Sequence, residues 1–93
     1  MDIPLPPAVY DHGYRGALIA RRGTPAQVEY FCHTLQGVVS PYRALGCAKV
    51  TADRCVIMIT RVGGHITAHV HAQLRRHELG HCNGWPANHP NRR

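Results

Sequence analysis

Apolar positions along the chain change their period several times, and each change marks an element. Val28, Phe31, Cys32 and Leu35 fall on one helical face. Thr24-Pro25-Ala26-Gln27 precedes them, with a threonine cap, a proline at the first helical position and a glutamine three residues on to complete a capping box. This pattern predicts a first helix over about 25–36, with Gly37 as its stop. Two β-prone runs follow, Leu45 to Val50 and Cys55 to Arg61, joined by Thr51-Ala52-Asp53-Arg54, and a β-hairpin is the economical reading. Gly63-Gly64 breaks the hairpin, and Thr67 caps a second helix predicted over 68–82. On it Val70, Leu74, His77 and His81 follow one another at steps of 4, 3 and 4, a continuous stripe that ends before Gly84, Trp85 and Pro86. Gly16 to Arg21 reads as a further short strand, and residues 1–14 as an extended, Pro-rich arm ending in Tyr10-Asp11-His12-Gly13-Tyr14. The chain shows no internal repeat and no low-complexity segment.

The elements predict one α+β domain over residues 1–93: a small antiparallel sheet or hairpin with two main helices, the second carrying the chemistry. A chain of 93 residues buries a modest core, so a metal or disulfides would contribute much of its stability. Four cysteines, at 32, 47, 55 and 82, form no CxxC pair, which argues against a zinc ribbon or a thioredoxin-type motif. Two disulfides would suit an exported protein and four thiols a cytosolic one; the even count in so small a domain favours the first, with three pairings open. The acidic, Pro-broken opening Met1-Asp2-Ile3-Pro4-Leu5-Pro6-Pro7 does not read as a signal peptide, so export implies a leader already removed. No apolar run approaches the roughly 18 residues of a membrane span.

Charge adds a second feature. The formal net charge is +6, and ten of the eleven cations are arginines, with pairs at Arg21-Arg22, Arg75-Arg76 and Arg92-Arg93. Such a balance favours acidic partners. No nucleic-acid motif accompanies it, so a solvated basic surface is the first reading and nucleic acid is not an expected partner.

The chemistry lies in the run His77-Glu78-Leu79-Gly80-His81-Cys82-Asn83-Gly84-Trp85-Pro86-Ala87-Asn88-His89. Two histidines four apart on a helix lie one above the other, so both imidazoles can reach one ion. A glutamate beside the first points to the side of that pair, where it can take a proton from water without ligating the ion. In a chain with eight histidines the spacing alone is weak; its place on a capped amphipathic helix after a β-prone hairpin strengthens it.

The stretch resembles the zincin superfamily of metallopeptidases, whose active-site helix carries HExxH. The form HExxHxxG, His77 to Gly84, resembles the metzincin branch, and the GHCNGWP turn resembles that of small bacterial HExxH proteins. The resemblance implies that His77 and His81 hold zinc, that Glu78 is the general base, and that the strand nearest the helix, by chain order Cys55 to Arg61, lies at a sheet edge and holds the substrate backbone. Metzincins place a third histidine three residues after the glycine, where this chain has Ala87. Their methionine turn is also missing, since Met1 and Met58 both lie upstream. Gluzincins use a downstream glutamate, yet no acidic residue follows Glu78. His89 is therefore the expected third ligand, with Gly84 turning the chain back and Pro86 and Pro90 stiffening the return.

Other candidates are Asp11 or His12, if the arm crosses the cleft, whereas His65, His69 and His71 read as surface histidines. Cys82 lies about 100° round the helix from His81 and reads as a core thiol or a disulfide. Trp85 reads as a packing anchor; Tyr10, Tyr14, Tyr30 and Tyr42 include candidate oxyanion stabilisers. The expected function is zinc-dependent hydrolysis of a peptide or protein substrate. A zinc-stabilised binding or regulatory module without turnover is the alternative, and a basic nucleic-acid-binding domain the weaker third.

Overall fold

The computed structural model describes residues 2–35, 37 and 44–93. Its elements are β1 (Ala17–Gly23), α1 (Pro25–Tyr30) widening into a π-helical stretch (Phe31–Leu35), β2 (Gly46–Val50), β3 (Arg54–Thr60) and α2 (Ala68–Cys82). The capping box is present at the start of α1: Gln27 N–H donates to Thr24 Oγ1 at 3.2 Å, and Thr24 N–H to Gln27 Oε1 at 2.9 Å. The helix predicted through 36 is α-helical only to Tyr30; Gln36 lies outside the described residues. Gly37 takes φ +69°, a left-handed conformation that suits a stop.

The three strands form one sheet in the order β1-β3-β2. β2 and β3 make the predicted antiparallel hairpin, with Val50 opposite Cys55 and Gly46 opposite Ile59. The sheet as a whole is mixed, which corrects the expected antiparallel one, because β1 runs parallel to β3 from Ala17 beside Arg54 to Gly23 beside Thr60. A parallel neighbour needs a crossover, and α1 lies within the connection that supplies it.

β3 therefore sits at the centre of the sheet. Cys55, Ile57 and Ile59 pack with Ile66 and with Val70, Leu74 and Cys82 of α2. Met58, on the other face, packs with Val28, Cys32 and Cys47 beneath α1. A strand covered by a helix on each face needs apolar side chains at successive positions, which accounts for the unbroken run from Cys55 to Ile59.

Each layer carries one disulfide. Cys32–Cys47 ties the end of the first helix to β2, and Cys55–Cys82 ties β3 to the last turn of α2. Both clusters are small, so cross-links worth about 3 kcal/mol each are large on the scale of a marginally stable domain.

Helix α2 spans the predicted 15 residues, with Thr67 Oγ1 accepting from Val70 N–H at 3.1 Å. Its buried stripe differs from the predicted one. Val70, Leu74, Glu78 and Cys82, four residues apart, face the core, while His77 and His81 are half-buried beside them. A carboxylate thus occupies a core position. The N-terminal arm crosses α2: Leu5 and Arg93 exchange backbone hydrogen bonds at 3.0 and 2.8 Å, and Asn83 Nδ2 donates to the carbonyls of Tyr10 and His12 at 3.0 and 2.7 Å.

Candidate metal centre

His77 and His81 project from consecutive turns of α2, and His89 returns to them from the turn that follows. Gly84 makes that turn at φ +105°, and His89 N–H donates to Pro86 O at 3.0 Å. His89 itself takes φ +56°, a left-handed conformation uncommon for a residue with a Cβ. Such backbone costs about 1–3 kcal/mol and concentrates at functional sites.

The three rings meet at their Nε2 atoms. The separations are 3.3 Å between His77 and His81, 3.1 Å between His81 and His89, and 3.1 Å between His89 and His77. Main-chain carbonyls decide where the protons sit. His77 Nδ1 donates to Pro4 O at 2.6 Å and His81 Nδ1 to Trp85 O at 2.7 Å; a carbonyl only accepts, so both rings carry hydrogen on Nδ1. Their Nε2 atoms are then bare lone pairs aimed at one point, and a hydrogen bond between those two nitrogens is excluded. A cation at that point would satisfy all three at once. Nitrogens about 2.0–2.1 Å from a tetrahedral ion lie about 3.3–3.4 Å apart, close to the spacing present here. His77, His81 and His89 could therefore hold a metal ion.

Burial makes the rings better ligands by keeping them neutral. Desolvation, with smaller contributions from His81 and His89, lowers the His77 pKa to about 4, against the opposing pull of the Pro4 carbonyl. Desolvation also lowers the pKa values of His81 and His89. Trp85, only 2% exposed, forms the wall behind all three rings. It stacks on His81 at a centroid distance of 4.9 Å and an interplanar angle of 16°, and its indole N–H donates to Pro90 O at 2.8 Å.

Glu78 lines the same cleft but is not one of the metal-competent group. It is 5% exposed, and burial alone raises its pKa to about 8. Among the described residues its carboxylate has no hydrogen-bond or ion-pair partner. Gly46 makes space for it: a Cβ there would lie 3.0 Å from Glu78 Oε2 and 3.0 Å from Met58 O. The cleft, of about 330 Å³, runs between α2 and β2, bordered by Gly46, Ala48 and Val50 on one side and by the histidines and Ala87 on the other.

Several expectations need correction. Asp11 and His12 do not reach the metal-competent group: Asp11 pairs with Arg76 and Arg93, and His12 Nδ1 bonds the neighbouring Gly13 carbonyl. The strand beside the cleft is β2, not the Cys55 to Arg61 run, because β3 is enclosed by strands on both sides. Other readings hold: His65 and His69 are exposed as expected of surface histidines, and His71, half-buried with Nδ1 bonded to Thr60 O at 2.9 Å, stays outside the cluster with them. Cys82 is in a disulfide, one of the two states expected of it. Tyr10, Tyr14 and Tyr30 do not line the cleft, and Tyr42 lies outside the described residues.

Sequence reasoning missed the supports. The carbonyls of Pro4 and Trp85 have no side-chain signature. Gly46 and Gly80 could have been found as glycines inside regular elements. A Cβ on Gly80 would meet Pro6 Cβ at 2.7 Å, so this glycine lets the arm lie against the helix.

Comparison of the chain with protein-family models, with curated proteins and with solved structures found no match.

Proposed function

We propose that this chain is a zinc-dependent metallopeptidase, with His77, His81 and His89 holding the metal and Glu78 acting as general base. One observation carries the reading: three imidazole lone pairs converge in a cleft that also holds a buried, unpartnered carboxylate which is not among the ligands. Structural zinc sites are closed by four protein ligands, whereas catalytic ones keep a position open. Among the described residues the group here has three.

Zinc supplies Lewis acidity, lowering the pKa of water from 15.7 to about 7 and drawing charge from an amide carbonyl. The protein's own groups then divide the work. Pro4 O and Trp85 O hold the two helical imidazoles in the Nδ1–H tautomer, which leaves each Nε2 free to ligate. Glu78 is held protonated by desolvation, and beside a bound cation its charged form would be favoured, which would make it a base at neutral pH. Glu78 accepts a proton from the attacking water and returns it to the leaving amine. Among the described residues β2 lies at the edge of the sheet beside the cleft, and its outer backbone groups suit an extended peptide added as a further strand. That geometry favours a peptide or protein substrate, and Trp85 excludes water from behind the ligands.

The test joins metal content to turnover. Purified protein is expected to hold one zinc per chain and to cleave a peptide library. Glu78→Gln should keep the zinc and lose cleavage by about a hundredfold or more. Cleavage unaffected by that change would remove Glu78 from the chemistry. Stoichiometric zinc with no turnover on any peptide would favour the second reading, a zinc-stabilised binding module. What supports that reading is the way the site gathers α2, the N-terminal arm and the C-terminal turn.

A further inference from the structure

The Arg21-Arg22 pair takes no part in the metal centre. Both arginines are exposed near the end of β1, and among the described residues neither makes an ion pair or a side-chain hydrogen bond. They line a groove of about 620 Å³ between β1 and α1, together with Gln27, Tyr30, Phe31 and Met58. Tyr30 is 62% exposed there, a large aromatic ring open to solvent. Met58 belongs to the cluster beneath α1, so the groove opens on the face of the sheet opposite α2.

Two further facts narrow the occupant. Among the described residues β1 is an edge strand whose one neighbour is β3, which leaves its outer backbone groups open to pairing. No acidic side chain lines the groove, and three of the five acids are engaged elsewhere: Asp11 with Arg76 and Arg93, Glu29 near His33, and Glu78 in the cleft. From this juxtaposition we infer that the β1–α1 groove binds an extended acidic peptide segment. Its backbone adds to the edge of β1, its carboxylates meet Arg21 and Arg22, and an apolar side chain lies against Tyr30 and Phe31.

Other occupants fit less well. Single-stranded nucleic acid would use the arginines and Tyr30 but leaves the strand edge unpaired. A second copy joined through β1 would gather four arginines in one short ribbon with no acid between them. The site stands apart from the metal centre, so it holds whether or not the chain is a peptidase.

The test uses full-length Glu78→Gln protein, so that no cleavage consumes the probe, and follows the fluorescence anisotropy of a labelled peptide in which a Glu-Glu pair, one carboxylate for each face of the strand, is flanked by Val and Tyr. Binding should weaken with added salt and fall about two- to thirtyfold in the Arg21→Gln/Arg22→Gln variant, as expected for losing two exposed ion pairs. Both positions are exposed, and circular dichroism and zinc content confirm that the variant is folded. Two versions N-methylated at alternate backbone nitrogens, in opposite registers, should differ, one binding and the other not, because strand addition uses one edge of the peptide. Equal binding by the arginine variant, equal binding of a Gln-for-Glu peptide, or no difference between the registers would overturn the proposal. So would a single-stranded oligonucleotide that binds while the acidic peptide does not.

Discussion

The carbonyl of Pro4 accepts a hydrogen bond from His77 Nδ1 at 2.6 Å across 73 positions of sequence. The N-terminal arm therefore sets the tautomer of a metal-competent imidazole. It is held in place by Leu5 pairing with Arg93, by Arg93 Nε donating to Pro6 O at 2.8 Å, and by Asp11 bridging Arg93 to Arg76, the residue just before His77.

Deleting residues 1–5 should accordingly weaken zinc binding by about 10–100-fold, the usual range for losing an outer partner of a ligating histidine. Asp11→Asn should weaken it less, since it loosens the arm without removing the carbonyl. Titration against a competing chelator measures both. Unchanged affinity in the deletion would show that the Pro4 contact does not orient His77.

The glycine within HExxH offers a steric test of the same contact. Gly80→Ala places a methyl group 2.7 Å from Pro6 Cβ, so the arm must shift or the helix end must move. We expect a loss of about 1–3 kcal/mol in chemical denaturation, even though alanine favours helix in isolation. A variant more stable than the parent would mean that the arm yields without cost.

Metal-free protein should be under strain from both titrating groups at once. His77, with a folded pKa of about 4 against 6.5, loses stability as pH falls from 6.5 towards 4, because the unfolded chain takes the proton first. Glu78, with a folded pKa of about 8 against 4.5, loses stability as pH rises from 4.5 to 8, because the unfolded chain releases its proton first. Zinc favours the neutral imidazole and the charged carboxylate together, so the rise in Tm on adding zinc should grow from pH 5 to pH 8. Thermal melts with zinc or chelator across that range check it. A flat or falling increment would contradict the linkage.

Glu78→Met should raise the Tm of metal-free protein at pH 8 by several degrees, given about 4–8 °C per kcal/mol for a domain of this size. The same change should abolish hydrolysis, a trade between stability and activity that follows from placing a carboxylate in a core stripe. A lower Tm in the metal-free variant would mean that Glu78 has a stabilising partner.

The two disulfides should separate in their effects. Cys55→Ser/Cys82→Ser and Cys32→Ser/Cys47→Ser should each cost about 3 kcal/mol. Only the first pair anchors the helix turn that carries His81, so only it should also lower zinc affinity. Equal effects on zinc would place the coupling in overall stability instead. The two cross-links point to an oxidising, extracellular-type environment.

Local patterns in the sequence were reliable where local physics decides. The capping box at Thr24, the hairpin around Thr51 to Arg54 and the helix over 68–82 follow from side chains bonding nearby backbone and from apolar spacing. The convergence of His89 on His77 and His81 was also legible, because Gly84 permits a return that few other residues allow. The parallel pairing of β1 was not, since a strand's neighbour depends on contacts far along the chain. The buried stripe of α2 was misread for a related reason: 77 and 78 are adjacent on the helix, and only the position of the sheet determines which of them faces the core.

What the chain determined alone was its elements and the set of groups able to meet one ion, because both depend on spacings of four to twelve residues. What needed the tertiary structure was everything set by distant backbone: β3 at the centre, β2 beside the cleft, Asp11 as a clamp and Pro4 behind His77. Carbonyl oxygens are the same in every residue, so no pattern of side chains announces which one will hold a ligand. Their roles exist only once the chain has closed on itself.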